Sequence, residues 1–153
     1  MERIICLAIG MFQTSYIIGK IHHMDIRQYG SGNAGTTNAL RTLGKKAGAM
    51  TLIGDMLKCV IAILIVDAVF KNRYQEILPL LGMYTAAGCV LGHNFPFYLG
   101  FRGGKGIAAS AGMLLAMDWR VFLICAVIFI GLVAITRYVS LGSMAAYVGA
   151  LIC

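Results

Sequence analysis

Three glycines and a cation lie together in a short polar stretch of an otherwise apolar chain. Gly30, Gly32 and Gly35 permit sharp backbone turns and a close approach to a ligand. The polar run at residues 36–38 is able to cap a helix, whose free N–H groups would face an anion. Arg41, about one turn further along, adds a formal charge. The stretch therefore predicts a phosphate site, and the alternative is a plain polar loop between two helices.

The same glycines also match the G-x-G-x-x-G pattern of dinucleotide-binding folds, with Asp55 following at a suitable distance. That fold requires a strand before the glycines and a soluble sheet around them. Here no strand pattern precedes the glycines, and Asp55 sits inside an apolar run. The context therefore argues against dinucleotide binding.

A second glycine loop surrounds a lysine downstream. Gly103, Gly104 and Gly106 offer open backbone amides around the flexible ammonium of Lys105, which suits a phosphate monoester. The loop is not a Walker A motif, because glycine follows the lysine where Ser or Thr would hold magnesium. His93, just upstream, is a candidate general base or hydrogen-bond donor to substrate, or else an interfacial histidine.

A third polar junction, residues 136–143, combines a cation with two serine hydroxyls. Ser140 and Ser143 lie three residues apart, so on a helix they would face the same way. Alone, the junction favours a structural N-cap over a binding site. Within the apolar region, Asp55 and Lys58 are also three residues apart, which predicts a structural ion pair or, alternatively, a catalytic role.

The elements that position these loops are predicted to be membrane helices. The chain has 153 residues, of which 59% are hydrophobic and 12% charged, against about 25% charged in ordinary soluble domains. Apolar segments of spanning or near-spanning length predict an all-α, polytopic membrane bundle. They occupy residues 4–21, 47–70, 77–99, 107–117, 121–135 and 141–153.

Charge placement predicts the orientation of the bundle. If the first five segments span, the loops on one side carry eight Lys or Arg residues and those on the other side carry Lys71, Arg73 and Arg120. Because cytoplasmic loops carry the excess of cations, the glycine loops are expected in the cytoplasm and the N-terminus outside. The net charge of +7 is therefore assigned to membrane topology and anion binding; the aromatic and basic pattern of a nucleic-acid surface is absent.

Taken together, the three motifs make the chain resemble the bacterial acyl-phosphate:glycerol-3-phosphate acyltransferases, the PlsY family. The resemblance runs through S-G-N-A-G-T-T-N-A-L-R, then G-H-N-F-P and G-F-R-G-G-K-G, then R-Y-V-S-L-G-S, from about Tyr16 to Ser143. It implies transfer of a fatty acyl group from acyl phosphate to the sn-1 hydroxyl of glycerol 3-phosphate, giving lysophosphatidate and phosphate in a bacterial plasma membrane.

The resemblance also implies the site residues. The catalytic set is Ser31, Arg41, His93, Lys105 and Ser140. The substrate-binding set is Gly32, Asn33, Gly35, Thr36, Asn38, Gly103, Gly104, Gly106 and Gly142. No cofactor and no metal is expected. The partners are the two phosphorylated substrates and membrane lipid, and the hydroxyl is expected to attack directly, with His93 or a substrate phosphate as proton acceptor.

One departure from the family pattern concerns the end of the chain. Members of the family continue through a further membrane helix and a basic tail, so residues 1–153 are expected to form a single transmembrane domain that lacks this part. The alternatives are therefore a truncated, inactive form of the enzyme or, on weaker grounds, a small anion transporter.

Overall fold

A computed structural model describes residues 2–153, and the side chains from Cys6 onward. All regular structure in this range is helical, as predicted. The α-helices are α1 (Glu2–Met11), α2 (Thr14–Ile21), α3 (Thr36–Thr42), α4 (Lys45–Phe70), α5 (Leu78–Asn94), α6 (Ile107–Met117), α7 (Trp119–Thr136) and α8 (Val139–Ile152). Short 3₁₀ turns occupy Ile26–Gln28, Gln75–Ile77 and Phe97–Leu99.

Among the described residues, two helices, α4 and α7, are long and apolar enough to cross a membrane, with 26 and 18 residues. Helices α6 and α8 are shorter and also apolar. Large hydrophobic side chains point away from the protein on these helices; Val127 is 72% exposed and Ile130 is 64% exposed. Because a water-soluble protein would bury such side chains, these surfaces are suited to contact with lipid.

The first apolar segment is not the continuous helix predicted for residues 4–21. The helix stops after Met11, Gln13 has an extended backbone, and α2 begins at Thr14. A buried hydrogen bond accounts for the break in the helix. Gln13 is fully buried, and its Nε2 donates to the carbonyl oxygen of His93 at 2.6 Å. The segment therefore consists of two short helices around a buried polar turn.

The chain forms two compact units, residues 1–113 and 114–153. In the first unit, α1 and α5 pack closely against each other, since Gly10 lies against the backbone of Cys89 and Gly92 lies against the backbone of Leu7. Helix α4 packs on both. The second unit is the antiparallel pair of α7 and α8, in which Cys125 Sγ donates to the carbonyl oxygen of Ala146 at 3.3 Å.

Candidate functional site

The first glycine loop (residues 30–35) is shaped by left-handed glycines and by one buried amide. Gly30 and Gly32 have φ angles of 60° and 70°, which side chains rarely tolerate. Asn38, fully buried on α3, accepts a hydrogen bond from the N–H of Ser31 at 2.9 Å. Its Nδ2 donates to the carbonyls of Ile26 and Tyr29 at 3.0 and 3.1 Å. Asn38 was predicted to bind substrate, but its side-chain amide is engaged in hydrogen bonds that hold the loop.

Helix α3 starts at Thr36 with Gly35 as its N-cap, and no side chain caps it. The predicted capping by residues 36–38 is therefore wrong, because these residues form the first turn. The Thr36 Oγ1 atom is buried and has no hydrogen-bond partner among the described residues, so it remains available to a ligand. Arg41 lies in the last turn of this helix and is exposed, as is Ser31 in the loop.

The second glycine loop (residues 103–106) folds back onto the C-terminal end of α5. The N–H groups of Gly103 and Gly104 donate to the carbonyls of Asn94 and His93, both at 3.1 Å. These two amides are consequently not open to a phosphate, contrary to the sequence-based prediction, because they satisfy helix-end carbonyls. The N–H groups of Lys105 and Gly106 have no acceptor in the described part of the chain, and the Lys105 side chain is exposed.

One hydrogen bond joins the two glycine loops directly, and a second joins the segments that precede them. The N–H of Ala34 donates to the carbonyl oxygen of Gly103 at 3.3 Å. Arg27 Nη1 donates to the carbonyl oxygen of Leu99 at 2.7 Å, while its Nη2 pairs with Asp25 at 2.7 Å. These hydrogen bonds bring the predicted first and second motifs together at one end of the first unit. The sequence did not predict that Arg27 connects the two segments. Arg27 was counted only among the eight cations that indicate the membrane orientation.

A buried polar cluster lies directly beneath the second loop. His93 is 2% exposed, Lys58 5% and Asp55 1%. The predicted ion pair of Asp55 and Lys58 is present at 3.1 Å. Lys58 Nζ is also 2.6 Å from His93 Nδ1, a contact that the sequence did not predict. His93 is therefore a buried member of this polar cluster and not an exposed interfacial histidine.

The third motif belongs to the second unit. Ser140 is exposed at the start of α8, while Ser143 is buried and donates its hydroxyl to the Ser140 carbonyl at 2.9 Å. Gly142, predicted to bind substrate, packs on α7, where an added Cβ would lie 2.7 Å from Val133 Cγ2. Tyr138 occupies the N-cap position of α8 without a capping side chain, so the structural N-cap predicted at this junction is wrong.

An apolar groove of about 560 Å³ opens on the surface between α1 and α4. Its lining is aliphatic and aromatic, with Lys58 as the one charged member. The lining residues are Ala8, Ile9, Phe12, Gly54, Leu57, Lys58 and Ile61.

Comparison with known proteins identifies the family. The family model described as "Glycerol-3-phosphate acyltransferase" matches residues 3–153. A glycerol-3-phosphate acyltransferase of Clostridioides difficile (strain 630) is 54% identical over 92% of this chain and 69% of its own length. Another from Lactiplantibacillus plantarum is 46% identical over 94% of this chain and 67% of its own. The chain thus spans about two thirds of the length of these relatives.

Solved structures agree with the sequence relatives. The crystal structure of PlsY (YgiH), an integral membrane glycerol 3-phosphate acyltransferase, in its glycerol 3-phosphate form superposes with a TM-score of 0.88 at 34% identity. The match covers 99% of this chain and 73% of that one. The lysophosphatidic acid form matches with a TM-score of 0.83.

The chain belongs to the glycerol-3-phosphate acyltransferase family. The predicted family, the all-α membrane architecture and the assignment as an acyltransferase enzyme of phospholipid synthesis are confirmed. The individual site residues remain predictions, which the geometry described above refines.

Proposed function

We propose that this chain transfers a fatty acyl group from acyl phosphate to the sn-1 hydroxyl of glycerol 3-phosphate, releasing lysophosphatidate and inorganic phosphate. The observation that carries this proposal is the Ala34 to Gly103 hydrogen bond, which places two polar loops side by side. The solved relative bears glycerol 3-phosphate in one crystal form and lysophosphatidic acid in another, which are substrate and product of this reaction.

The chemistry requires charge stabilisation more than covalent participation by the protein. The substrate hydroxyl attacks the acyl carbon, a carbon–oxygen bond forms, and the bond from that carbon to the phosphate oxygen breaks. Phosphate leaves with the bonding electrons, so cations and N–H donors aimed at it lower the barrier. Arg41 and Lys105 are exposed cations on the two joined segments, and no carboxylate pairs with them in the described range.

Other groups at the loops supply hydrogen bonds. The free N–H groups of Lys105 and Gly106, the unpartnered Thr36 hydroxyl and the exposed Ser31 are donors suited to phosphate oxygens. Asn33 and Gly35 shape the same turn, because a Cβ on Gly35 would lie 2.8 Å from Asn33 Nδ2. Ser140 carries the exposed hydroxyl of the third motif, and the family resemblance assigns it a catalytic role.

We infer that the motif loops face the cytoplasm of a bacterial cell, with the N-terminus outside the plasma membrane. The support is the excess of Lys and Arg in the loops on one side. Single cysteines placed at Lys46 and at Lys71 should label from opposite sides of sealed vesicles. Labelling from the same side would refute this topology.

The apolar groove between α1 and α4 is proposed to hold the acyl chain of the donor. Its walls are apolar, and Lys58 joins it to the buried cluster beneath the second loop. Ala8→Phe should reduce activity with palmitoyl phosphate more than with octanoyl phosphate, whereas Ala134→Phe, on exposed α7 surface, should not change the ratio. An unchanged ratio in Ala8→Phe would exclude the groove.

The reaction itself is tested by transfer of radiolabelled glycerol 3-phosphate into lysophosphatidate by membranes that contain the chain. Palmitoyl phosphate should support product formation and palmitoyl-CoA should not. Ser31→Ala and Lys105→Ala should abolish product, and Lys46→Ala, which removes an exposed cation from α4, should not. Absence of product from a correctly inserted chain would favour the inactive alternative.

A transport function finds less support. A transporter requires a polar path, yet the mid-membrane charges Asp55 and Lys58 bind each other and are no more than 5% exposed. Uptake of labelled glycerol 3-phosphate into sealed vesicles without acylation would reverse this preference.

A further inference from the structure

Lys58 is surrounded by three hydrogen-bond acceptors in the interior of the first unit. Its Nζ lies 2.7 Å from the carbonyl oxygen of Phe12, 2.6 Å from His93 Nδ1 and 3.1 Å from Asp55 Oδ1. An ammonium carries three hydrogens and no lone pair, so each neighbour receives one hydrogen bond. The arrangement saturates the cation without any ligand.

Charge balance supports this protonation state. Asp55 Oδ1 also accepts from Thr14 Oγ1 at 3.1 Å, as expected of a carboxylate. A carboxylate beside a neutral amine would leave an uncompensated charge in a site that is almost fully buried. With both groups ionised, the pair is neutral and Lys58 is a donor only.

A donor at Nδ1 decides the tautomer of His93. The Nδ1 atom accepts from Lys58, so the proton of the neutral imidazole resides on Nε2. The Nε2 atom lies against Gly104, where an added Cβ would collide with it. His93 therefore presents an N–H group to the second glycine loop, next to Lys105.

We propose that Lys58 is a positioning residue that holds His93 as an Nε2–H hydrogen-bond donor, so that this imidazole binds a substrate oxygen and does not take up the hydroxyl proton. The role toward substrate rests on the proposed function, whereas the tautomer does not. The proton of the attacking hydroxyl then passes to another acceptor, for which a substrate phosphate oxygen is suited.

The tautomer is measurable without any enzyme assay. The chain has three histidines, so nitrogen-labelled histidine gives few signals, and His22→Gln/His23→Gln leaves His93 alone. Solid-state NMR of this variant in lipid should show a protonated Nε2 and an unprotonated Nδ1. Lys58→Met should convert this single form into a mixture, and Lys46→Met should leave it unchanged. A protonated Nδ1 in the parent protein, or no change in Lys58→Met, would overturn the proposal.

Because Lys58→Met leaves the Asp55 charge buried and unpaired, folding could fail. The double substitution Asp55→Asn/Lys58→Met removes both charges and supplies the second test. It should also lose the single tautomer. A retained, unmixed Nε2–H form in this folded variant would show that Lys58 does not determine the tautomer.

The substitution His93→Gln distinguishes a hydrogen-bond donor at this position from a group that accepts the hydroxyl proton. The Gln amide can accept from Lys58 through Oε1 and donate through Nε2, but it cannot serve as a general base. His93→Gln should therefore keep kcat/KM within about tenfold of the parent, and His93→Leu should lose about 100-fold or more. Equal losses in both variants would refute the donor role. If the parent itself makes no lysophosphatidate, the proposed function fails and the NMR result still decides the tautomer.

Discussion

The backbone N–H of Ala34 donates to the carbonyl oxygen of Gly103 at 3.3 Å, across a large separation in sequence. The hydrogen bond joins the loop that follows the first two helices to the loop that follows α5. Arg27 makes a second connection, to the carbonyl of Leu99 at 2.7 Å. The relative position of the two loops is therefore set by the backbone and one arginine, leaving Arg41 and Lys105 exposed.

Gly104→Ala tests the fit of the second loop on His93. The new methyl group would overlap the imidazole Nε2, and the ring cannot retreat without leaving Lys58. A displacement of about 1 Å at a catalytic loop can cost about 100-fold in rate, and we expect a loss of that order. Steady-state acyl transfer in detergent or lipid measures it.

The matched control for this substitution is Gly131→Ala. Gly131 lies in α7 with nothing within 4 Å of an added Cβ, so alanine should be tolerated and should favour the helix by about 1 kcal/mol. If Gly104→Ala and Gly131→Ala were equally active, the contact of His93 with the loop would not contribute to the rate of acyl transfer.

Asn38→Asp tests the amide that holds the first loop. The substitution replaces the Nδ2 donor with an oxygen, which leaves the carbonyls of Ile26 and Tyr29 without a donor and facing a carboxylate. Unsatisfied buried groups cost about 1–3 kcal/mol each, so we expect the free energy of unfolding to fall by about 2 kcal/mol or more. Thermal unfolding measures the loss, with partly exposed Thr37→Ala as the control. Equal stability of the two variants would contradict this role.

Features that depend on local sequence pattern, such as helices and neighbouring ion pairs, were predicted well. Residues 107–117 were expected to be a short apolar helix, and α6 has these bounds, Ile107–Met117. The ion pair of Asp55 with Lys58 also follows from helical spacing and the cost of lone charges in hydrocarbon. The glycine loops were recognised because glycines cluster near a cation in each, Arg41 in the first and Lys105 in the second.

What the sequence could not supply is the pairing of distant groups. The spacing of residues in the sequence does not predict that the Asn38 side-chain amide donates to backbone carbonyls. Nor does it predict that the N–H groups of Gly103 and Gly104 cap the C-terminal end of α5. Nor does composition predict that Lys58 meets His93, because the contact depends on how α4 packs against α5. Residue types identified the chemistry, and packing decided which groups are free to perform it.

The pairing of Asp25 with Arg27 predicts a dependence of stability on pH. The side-chain hydrogen bond from Arg27 lowers the pKa of Asp25 below its ordinary value. A carboxylate with a lowered folded-state pKa stabilises the fold above its unfolded pKa, about 3.9, and this contribution is lost as pH falls through the folded pKa. Arg27→Met should therefore lower the unfolding temperature most near neutral pH, by an amount equivalent to about 1 kcal/mol.

The stability difference between Arg27→Met and the parent should shrink below about pH 4 but not vanish. The hydrogen bond from Arg27 to the Leu99 carbonyl, which does not titrate, accounts for the remainder. In an Asp25→Asn background the effect of Arg27→Met should no longer vary with pH. A pH dependence that persists in that background would assign the effect to another group.

The two serines of α8 should respond differently to the same substitution. Ser143 is buried and donates to the Ser140 carbonyl within the helix, whereas Ser140 itself is exposed. Ser140→Ala should reduce acyl transfer by about 10- to 100-fold, the value of one hydrogen bond to a charged group, with no change in unfolding temperature. Ser143→Ala should change stability by less than about 1.5 kcal/mol and leave the rate near that of the parent. The reverse pattern of effects would assign the functional hydroxyl to Ser143.

The interruption of the first helical segment at Phe12 and Gln13 bears on any attempt to engineer this protein. Phe12 leaves the helix, which frees its carbonyl to accept from Lys58, and Gln13 reaches the carbonyl of His93. Replacing the turn with regular alanine helix would raise local propensity, yet it would return the Phe12 carbonyl to the helix ladder and leave one ammonium hydrogen without an acceptor. A sequence optimised for helix formation would thus lose the irregular backbone that supplies Lys58 with one of its three hydrogen-bond acceptors.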